Sequence, residues 1–157
     1  MKEYVRTKLI FTGTPETLNL LMQKLAAADG SVPLSFVDIL PLNEAGMEEN
    51  WGIPGEPEEL DSILYRNGTI LEYSFDTLEK TPLPVLQKLA ELYPDYHMTV
   101  RYASEDYGEN CGIYESAEGT NELIFQELEE PLIFACEIWD VDPDEEMQER
   151  MINFNEE

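Results

Sequence analysis

Alternating hydrophobic and polar positions predict several β-strands along this chain. At residues 4–12, Val5, Leu9 and Phe11 share one face with Thr7, and the basic side chains lie on the other face. A period of two is the signature of a strand with one buried side. Similar patterns, some of them short, predict further strands at residues 34–40, 69–76, 97–103, 111–116 and 121–127.

Apolar residues at helical spacing predict two well-marked helices. The first begins at Thr14 and Pro15, because threonine is a good helix cap and proline suits the first helical position, and it extends to about Ala28. The second begins in the same way at Thr81-Pro82 and ends before Pro94. Less regular patterns predict a loop at residues 41–57, a short helix at residues 58–66 and, after Asp142-Pro143, a last helix with Met147, Met151 and Phe154.

The order of these elements predicts an α+β ferredoxin-like sandwich. Two β-α-β units, with an antiparallel or mixed sheet and helices on one face, are followed by a C-terminal hairpin and a helical extension. We expect residues 1–128 to form the domain and residues 129–157 to form an acidic extension packed on it. Residues 132–139 or a second copy of the chain would cover the other sheet face, so both a monomer and a homodimer stay open.

Several motifs in the central part of the chain resemble the YubB-type family of ferredoxin-like proteins, over about residues 36–119. The matching residues are Asn50-Trp51-Gly52, Tyr73-Ser74-Phe75-Asp76-Thr77, Pro82-Leu83-Pro84-Val85, Leu89, Tyr93-Pro94, Val100-Arg101-Tyr102, Gly108 and Cys111-Gly112-Ile113-Tyr114. Members of that family are uncharacterised proteins encoded largely on plasmids and phages. The resemblance therefore implies the fold and a mobile-element setting, and it implies no activity.

Composition narrows the classes of partner. The 157 residues include 34 Asp and Glu against 9 Lys and Arg, a net charge of -25, while 43% hydrophobic residues supply a core. Nucleic acids and anionic membranes bind Lys and Arg, so we expect no direct contact with either. No apolar run has the length of a membrane span or a targeting signal. With only Cys111 and Cys136, we expect reduced thiols and a cytoplasmic location.

The negative charge is distributed unevenly. Residues 1–103 hold 16 acidic and 8 basic residues, a net charge of -8, whereas residues 104–157 hold 18 acidic residues and one basic residue, a net charge of -17. A solvated surface is the ordinary explanation of such a run. The alternative is a mimic of the phosphate backbone that occupies the nucleic-acid-binding surface of another protein.

The alternating acids Asp140, Asp142 and Asp144 match the start of a calcium-binding loop. The sixth position of that loop is Glu145 instead of glycine, and the twelfth is Met151 instead of glutamate. A helix cap at Asp142 explains the same residues better. We therefore treat the three aspartates as weak metal candidates and expect no metal or cofactor.

Nucleophilic chemistry has little support in the sequence. His97 is the only histidine, and a Cys-His nucleophile would require Cys111 or Cys136 beside it. No glycine-rich nucleotide motif or nucleophile elbow is present in the sequence. We expect a protein that is not an enzyme.

The leading functional hypothesis is an accessory protein of mobile-element type that acts by binding another protein, and a basic protein is one candidate for that partner. The first alternative is the nucleic-acid mimic, and the second is a carboxylate- or metal-dependent enzyme. Candidate partner-binding residues are an aromatic residue of a groove and the acids of the C-terminal part: Trp51, Glu127, Glu129, Glu130, Asp140, Asp142, Asp144, Glu145 and Glu146.

Overall fold

A six-stranded antiparallel sheet forms the centre of the computed structural model, which describes residues 3–106, 110–116, 119 and 121–145. The strands are β1 (Tyr4–Thr12), β2 (Glu58–Tyr65), β3 (Ile70–Leu78), β4 (His97–Ser104), β5 (Cys111–Ser116) and β6 (Ile124–Gln126). The helices are α1 (Pro15–Leu25), α2 (Phe36–Ile39), α3 (Met47–Trp51), α4 (Leu83–Leu92) and α5 (Pro131–Ile138).

The sheet order is β2-β3-β1-β4-β5-β6. The chain runs β1-α1-α2-α3-β2-β3-α4-β4 through its first four strands, which is the ferredoxin-like β-α-β-β-α-β arrangement with the short helices α2 and α3 inserted before β2. The β5-β6 hairpin then extends the sheet beyond β4. The predicted fold class is confirmed, and every strand pair is antiparallel.

The main core lies between one face of the sheet and the helices α1 and α4. Leu9 and Phe11 of β1 are fully buried there together with Leu21 of α1 and Leu86 of α4. The predicted alternation of β1 is confirmed, because every second residue from Val5 to Phe11 is buried. Burial of this apolar face is the main source of stability for such a layer.

Helix α1 begins as predicted. The Thr14 side chain accepts a hydrogen bond from the Thr17 backbone, and the Thr17 hydroxyl accepts one from the Thr14 backbone. Such reciprocal caps satisfy two of the free N–H groups at a helix start. The helix ends at Leu25, before the predicted end, because the chain turns back there and the Ser35 backbone N–H donates to the Leu25 carbonyl.

The strand predicted at residues 34–40 is wrong. The structure places a single helical turn there, α2, in which Phe36 and Ile39 both face the core. Residues three apart share a face in a helix and lie on opposite faces in a strand. A short apolar run fits both periods, and here contact with the core selects the helix.

The helix predicted at residues 58–66 is also wrong, since this segment forms β2. It pairs with β3 through a turn in which Arg66, Asn67 and Gly68 have left-handed φ angles of 53°, 59° and 82°. In the paired strand, successive side chains alternate between solvent and core, so Ile63 is exposed and Leu64 packs against the core. Cross-strand pairing outweighs local helical spacing here.

Thr81 does not cap a helix as predicted. Pro82 stands at the N-cap of α4 and makes no side-chain cap bond. The Thr81 and Thr7 hydroxyls instead share a buried hydrogen bond of 2.8 Å. This bond satisfies two buried polar groups and ties the sheet to the start of α4.

Helix α5 lies on the opposite sheet face, over β4 and its neighbours. Phe134, Ala135 and Ile138 pack with Ala103 in a second, smaller core. The Trp139 indole N–H, one residue beyond the helix, donates to the Ala103 carbonyl at 2.9 Å.

The last predicted helix is described only at its beginning. Residues 143–145 are helical. The remainder, with Met147, Met151 and Phe154, lies outside the described residues, as does most of the turn predicted at residues 117–120. Within the described ranges, no helix is long and apolar enough to cross a membrane.

Gly112 provides a test of the packing around the hairpin. A Cβ atom at this position would lie 2.7 Å from the Phe125 ring and 2.9 Å from the Tyr102 hydroxyl. We expect Gly112→Ala to lower the free energy of unfolding by about 1–3 kcal/mol, because these rings must shift. Gly55→Ala is the control, since nothing lies within 4 Å of its added Cβ. Equal urea-unfolding midpoints for the two variants would contradict this account.

Candidate functional site

Acidic residues gather at one end of the sheet. In an antiparallel sheet with this strand order, the starts of β1, β2 and β5 lie beside the ends of β3, β4 and β6. We call this edge the acidic end. Its acidic residues are Glu3, Glu58, Glu59, Asp76, Glu79, Glu105, Asp106 and Glu127.

A cavity of about 240 Å³ opens at the acidic end and is lined by Tyr4, Glu58, Glu59, Asp76 and Glu105. We call it the acidic cavity. The Tyr4 backbone N–H donates to the Glu105 carboxylate at 3.2 Å, and the Glu105 N–H donates to the Tyr4 carbonyl at 3.1 Å. A hydrogen bond with Glu58, and then its charge, raises the pKa of the Tyr4 phenol. The cavity therefore has a negative potential.

Arg6 neutralises one wall of this cavity. Its Nε donates to Asp76 Oδ1 at 2.8 Å and its Nη2 donates to Oδ2 at 3.1 Å. This hydrogen bonding raises the pKa of the Arg6 guanidinium, whose Cζ lies 4.2 Å from the centre of the Trp139 ring. Asp76 is thus buried and paired.

Glu58, Glu59 and Glu105 are the exposed carboxylates of the acidic cavity. None of them forms an ion pair within the part of the chain that the structure describes. The charge that the cavity presents to solvent therefore comes from these three groups, because Arg6 already pairs with Asp76.

A β-bulge positions two of these carboxylates. Glu59 has a left-handed φ of 52°, and the register with β3 shifts between Glu58 and Asp61. Successive side chains of a regular strand point to opposite faces. The bulge breaks that rule, so the consecutive residues Glu58 and Glu59 both line the acidic cavity.

A second cavity of about 120 Å³ lies beside the segment that carries Glu58 and Glu59. We call it the apolar groove. It is lined by Val32, Leu34, Ser35, Phe36, Val37, Trp51, Glu56, Pro57 and Leu60. Trp51 is only 1% exposed and donates from Nε1 to the Leu40 carbonyl at 2.8 Å. This predicted partner-binding residue is therefore a fixed, buried wall of the groove.

The predicted acidic residues separate into two groups. Glu127 follows β6 at the acidic end. Asp140 follows α5 and lies close enough to Arg6 that its charge contributes to the raised pKa of the guanidinium. Glu129 and Glu130 are exposed just before α5. Glu127 thus belongs to the acidic end and Asp140 lies near Arg6, whereas neither Glu129 nor Glu130 lines the acidic cavity.

Asp142 serves as a cap. Its Oδ1 accepts a hydrogen bond from the Asp144 backbone at 2.9 Å, at the start of the helical residues 143–145. Asp144 and Glu145 are exposed, and Glu146 lies outside the described residues. Among the residues that are described, no group of three or more His, Cys, Asp or Glu side chains is arranged to hold a metal ion.

The histidine and the cysteines do not form a nucleophilic pair. His97 begins β4, whereas Cys111 pairs with Ala103 near the other end of that strand, about 20 Å away at roughly 3.4 Å per residue. Burial raises the pKa of the Cys111 thiol, and Cys136 is buried in α5. A reactive cysteine needs the opposite shift.

Sequence reasoning missed Glu58, Glu59 and Glu105 as members of one site. Glu105 lies far along the chain from Glu58 and Glu59, and only the strand order brings it to the same edge of the sheet. Their position at strand ends is the signal that could have found them. Glu105 directly follows β4, which the sequence predicts as a strand, whereas Glu58 and Glu59 begin β2, which the sequence predicts as a helix.

Comparison with known proteins identifies part of the chain. A family model described as the ferredoxin-like domain in Api92-like protein matches residues 62–153. No curated protein and no solved structure matches the chain. The matched range begins within β2, so it includes Asp76 and Glu105 of the acidic cavity and leaves out Tyr4, Glu58 and Glu59.

Removal of Arg6 tests the role of the ion pair in this site. We expect Arg6→Met to lower the free energy of unfolding by about 2–4 kcal/mol, because it leaves Asp76 buried without its cation. Lys88→Met removes the cation of an exposed pair with Glu91 at 4.0 Å and should change stability by less than about 0.5 kcal/mol. Urea unfolding measures both. A similar, small effect of both variants would refute the assigned role.

Proposed function

The chain belongs to the family of ferredoxin-like domains in Api92-like proteins, and on this premise we propose that it is a non-enzymatic accessory protein that binds a basic surface of another protein. Its resemblance to YubB-type proteins supports a mobile-element setting. The free thiols of Cys111 and Cys136 suit a reducing compartment, so we place the protein in the cytoplasm.

The arrangement of Glu58, Glu59 and Glu105 carries this proposal. They are exposed, they line one cavity and no cation among the described residues pairs with them. Clustered like charges raise each other's energy, and a basic partner relieves that repulsion. Complementary charge also accelerates the encounter and determines which partners bind.

The geometry gives less support to an enzyme. His97 and Cys111 lie at opposite ends of β4, as described above. Glu58, Glu59 and Glu105 are exposed to solvent and Asp76 is paired with Arg6, whereas catalytic groups commonly act in a site closed to water. Binding is the simpler use of such a surface.

A nucleic-acid mimic is a second candidate, and the strand order favours it. The acidic residues are fixed at the ends of adjacent strands that span about 24 Å across the sheet, at roughly 4.8 Å per strand. Such a row presents several negative charges at fixed positions across the sheet, and a phosphate backbone likewise presents a row of negative charges. Basic proteins that bind nucleic acid would be its targets.

Charge neutralisation at the acidic cavity tests the proposed function. We expect the Glu58→Gln, Glu59→Gln, Glu105→Gln triple variant to lose capture of basic proteins from a lysate. A matched variant, Glu16→Gln, Glu44→Gln, Glu49→Gln, removes three exposed acids elsewhere and should retain capture. Added salt should release the captured proteins from the unmodified chain. Equal capture by both variants, or none by the unmodified chain, would reject the proposal.

Competition with duplex DNA separates the two candidates. If the protein is a mimic, we expect added DNA to displace it from the captured proteins, because both occupy the same basic surface. If the captured proteins stay bound when DNA is present at saturating concentration, the mimic is rejected and binding to another basic surface is retained.

A further inference from the structure

We propose that the start of β2 is a docking site for an extended segment of the partner protein. In this arrangement an apolar side chain of the segment enters the apolar groove, and adjacent Lys or Arg side chains enter the acidic cavity. The inference rests on the proposed function and deepens it, since it specifies the chemistry of the partner segment.

Strand β2 has a free edge. It is the outermost strand of the sheet, and in the described part of the chain it pairs with β3 alone. Outward N–H and C=O groups of an edge strand accept an added strand, and extended peptides commonly bind in this way. The Ser62 N–H donates to the Asp61 carboxylate at 2.9 Å, and an added strand would replace this exposed bond. Ile63, on the same strand, is 56% exposed.

The apolar groove lies directly beside this edge. Leu60 of β2 lines it together with Val37, which is 50% exposed, and Trp51 is fixed in its wall. At about 120 Å³ the groove is smaller than the roughly 300–1,000 Å³ of ligand pockets. Its size suits one aliphatic side chain of a partner.

Four consecutive residues connect the groove to the acidic cavity. Glu56 and Pro57 line the groove, and Glu58 and Glu59 line the cavity. Neighbouring side chains of an extended segment are about 3.3 Å apart along the chain and point to opposite sides. One segment beside β2 therefore reaches both spaces.

The negative charge at the start of β2 determines which side chains the partner segment must carry. Glu56, Glu58, Glu59 and Asp61 are all exposed at the start of β2, and none forms an ion pair among the described residues. Lys and Arg are the complementary side chains. The bulge at Glu59 interrupts regular pairing, so the added ladder would extend along residues 61–65.

The other edge of the sheet is a poorer candidate for docking. Strand β6 has three residues, Ile124–Gln126, and so offers a shorter ladder than β2. Ile124 is 57% exposed, nearly the same as Ile63. This similarity makes the β6 edge a matched control.

A capped heptapeptide of alternating lysine and valine is the probe, titrated into the full chain by calorimetry. Val37→Lys and Ile63→Lys are the test variants. Leu20→Lys and Ile124→Lys are their controls, because Leu20 is 49% and Ile124 57% exposed and each variant adds one positive charge. We expect each test variant to weaken binding about 10-fold or more, because Val37→Lys removes an aliphatic contact in the apolar groove, whereas Ile63, which pairs with Glu72 on the opposite face from Leu64, faces the peptide lysines, and Ile63→Lys places a positive charge against them. We expect each control to weaken binding less than about 3-fold.

Backbone amide exchange on the unmodified chain gives a second readout. Added peptide should slow exchange in residues 61–65 and leave β6 unchanged. Equal weakening by all four variants, protection at β6 in place of β2, or no binding of the peptide would overturn the inference.

Failure of the docking inference is distinguishable from failure of the proposed function. Val37 and Ile63 carry no charge, whereas the Gln variants change only carboxylates. Loss of capture in the Gln variant, with peptide binding unaffected by Val37→Lys, keeps the proposed function and rejects docking at β2.

Discussion

The ion pair between Arg6 and Asp76 holds together the part of the molecule that carries its unusual charge. It connects β1 to β3 through two hydrogen bonds and places the guanidinium beneath Trp139, just after α5. One cation therefore links two strands to the helix on the second sheet face. The Arg6 guanidinium also offsets the charge of Asp76, which lowers the repulsion between Asp76 and the exposed carboxylates of the acidic cavity.

Local sequence signals were sufficient where they agreed with the tertiary contacts. The alternation at β1 and the capping residues Thr14 and Pro15 both appear as predicted. At residues 34–40 and 58–66 the short apolar runs fit a helix and a strand equally, and tertiary contacts decided the outcome. Phe36 packs against Trp51 and Phe75, which lie outside any local window around it. The partner of β2 is nearer, since β3 begins five residues after Tyr65 and the turn at Asn67-Gly68 stands between the two strands.

The candidate site was less predictable than the fold. Counting charges located most of the excess in residues 104–157, yet the acidic cavity takes only Glu105 from that segment. Its other acids come from β2 and β3, which the strand order brings beside Glu105. The bulge that turns Glu58 and Glu59 to one side depends on pairing with β3. Trp51, a predicted partner-binding residue, belongs to the main core and also forms one wall of the apolar groove, where it packs against Phe36.

The fold leaves particular surfaces open for binding. Helices α1 and α4 cover one sheet face, and α5 covers the other over β4 and parts of β1 and β5. The edge of β2 and the acidic end therefore stay exposed beside each other. The family match includes Asp76 and Glu105 and leaves out Glu58 and Glu59, so the site combines matched and unmatched segments. Since function depends on such sites and not on the fold, a family member without acids at the start of β2 would keep the sheet and lack the site on which the proposed function rests.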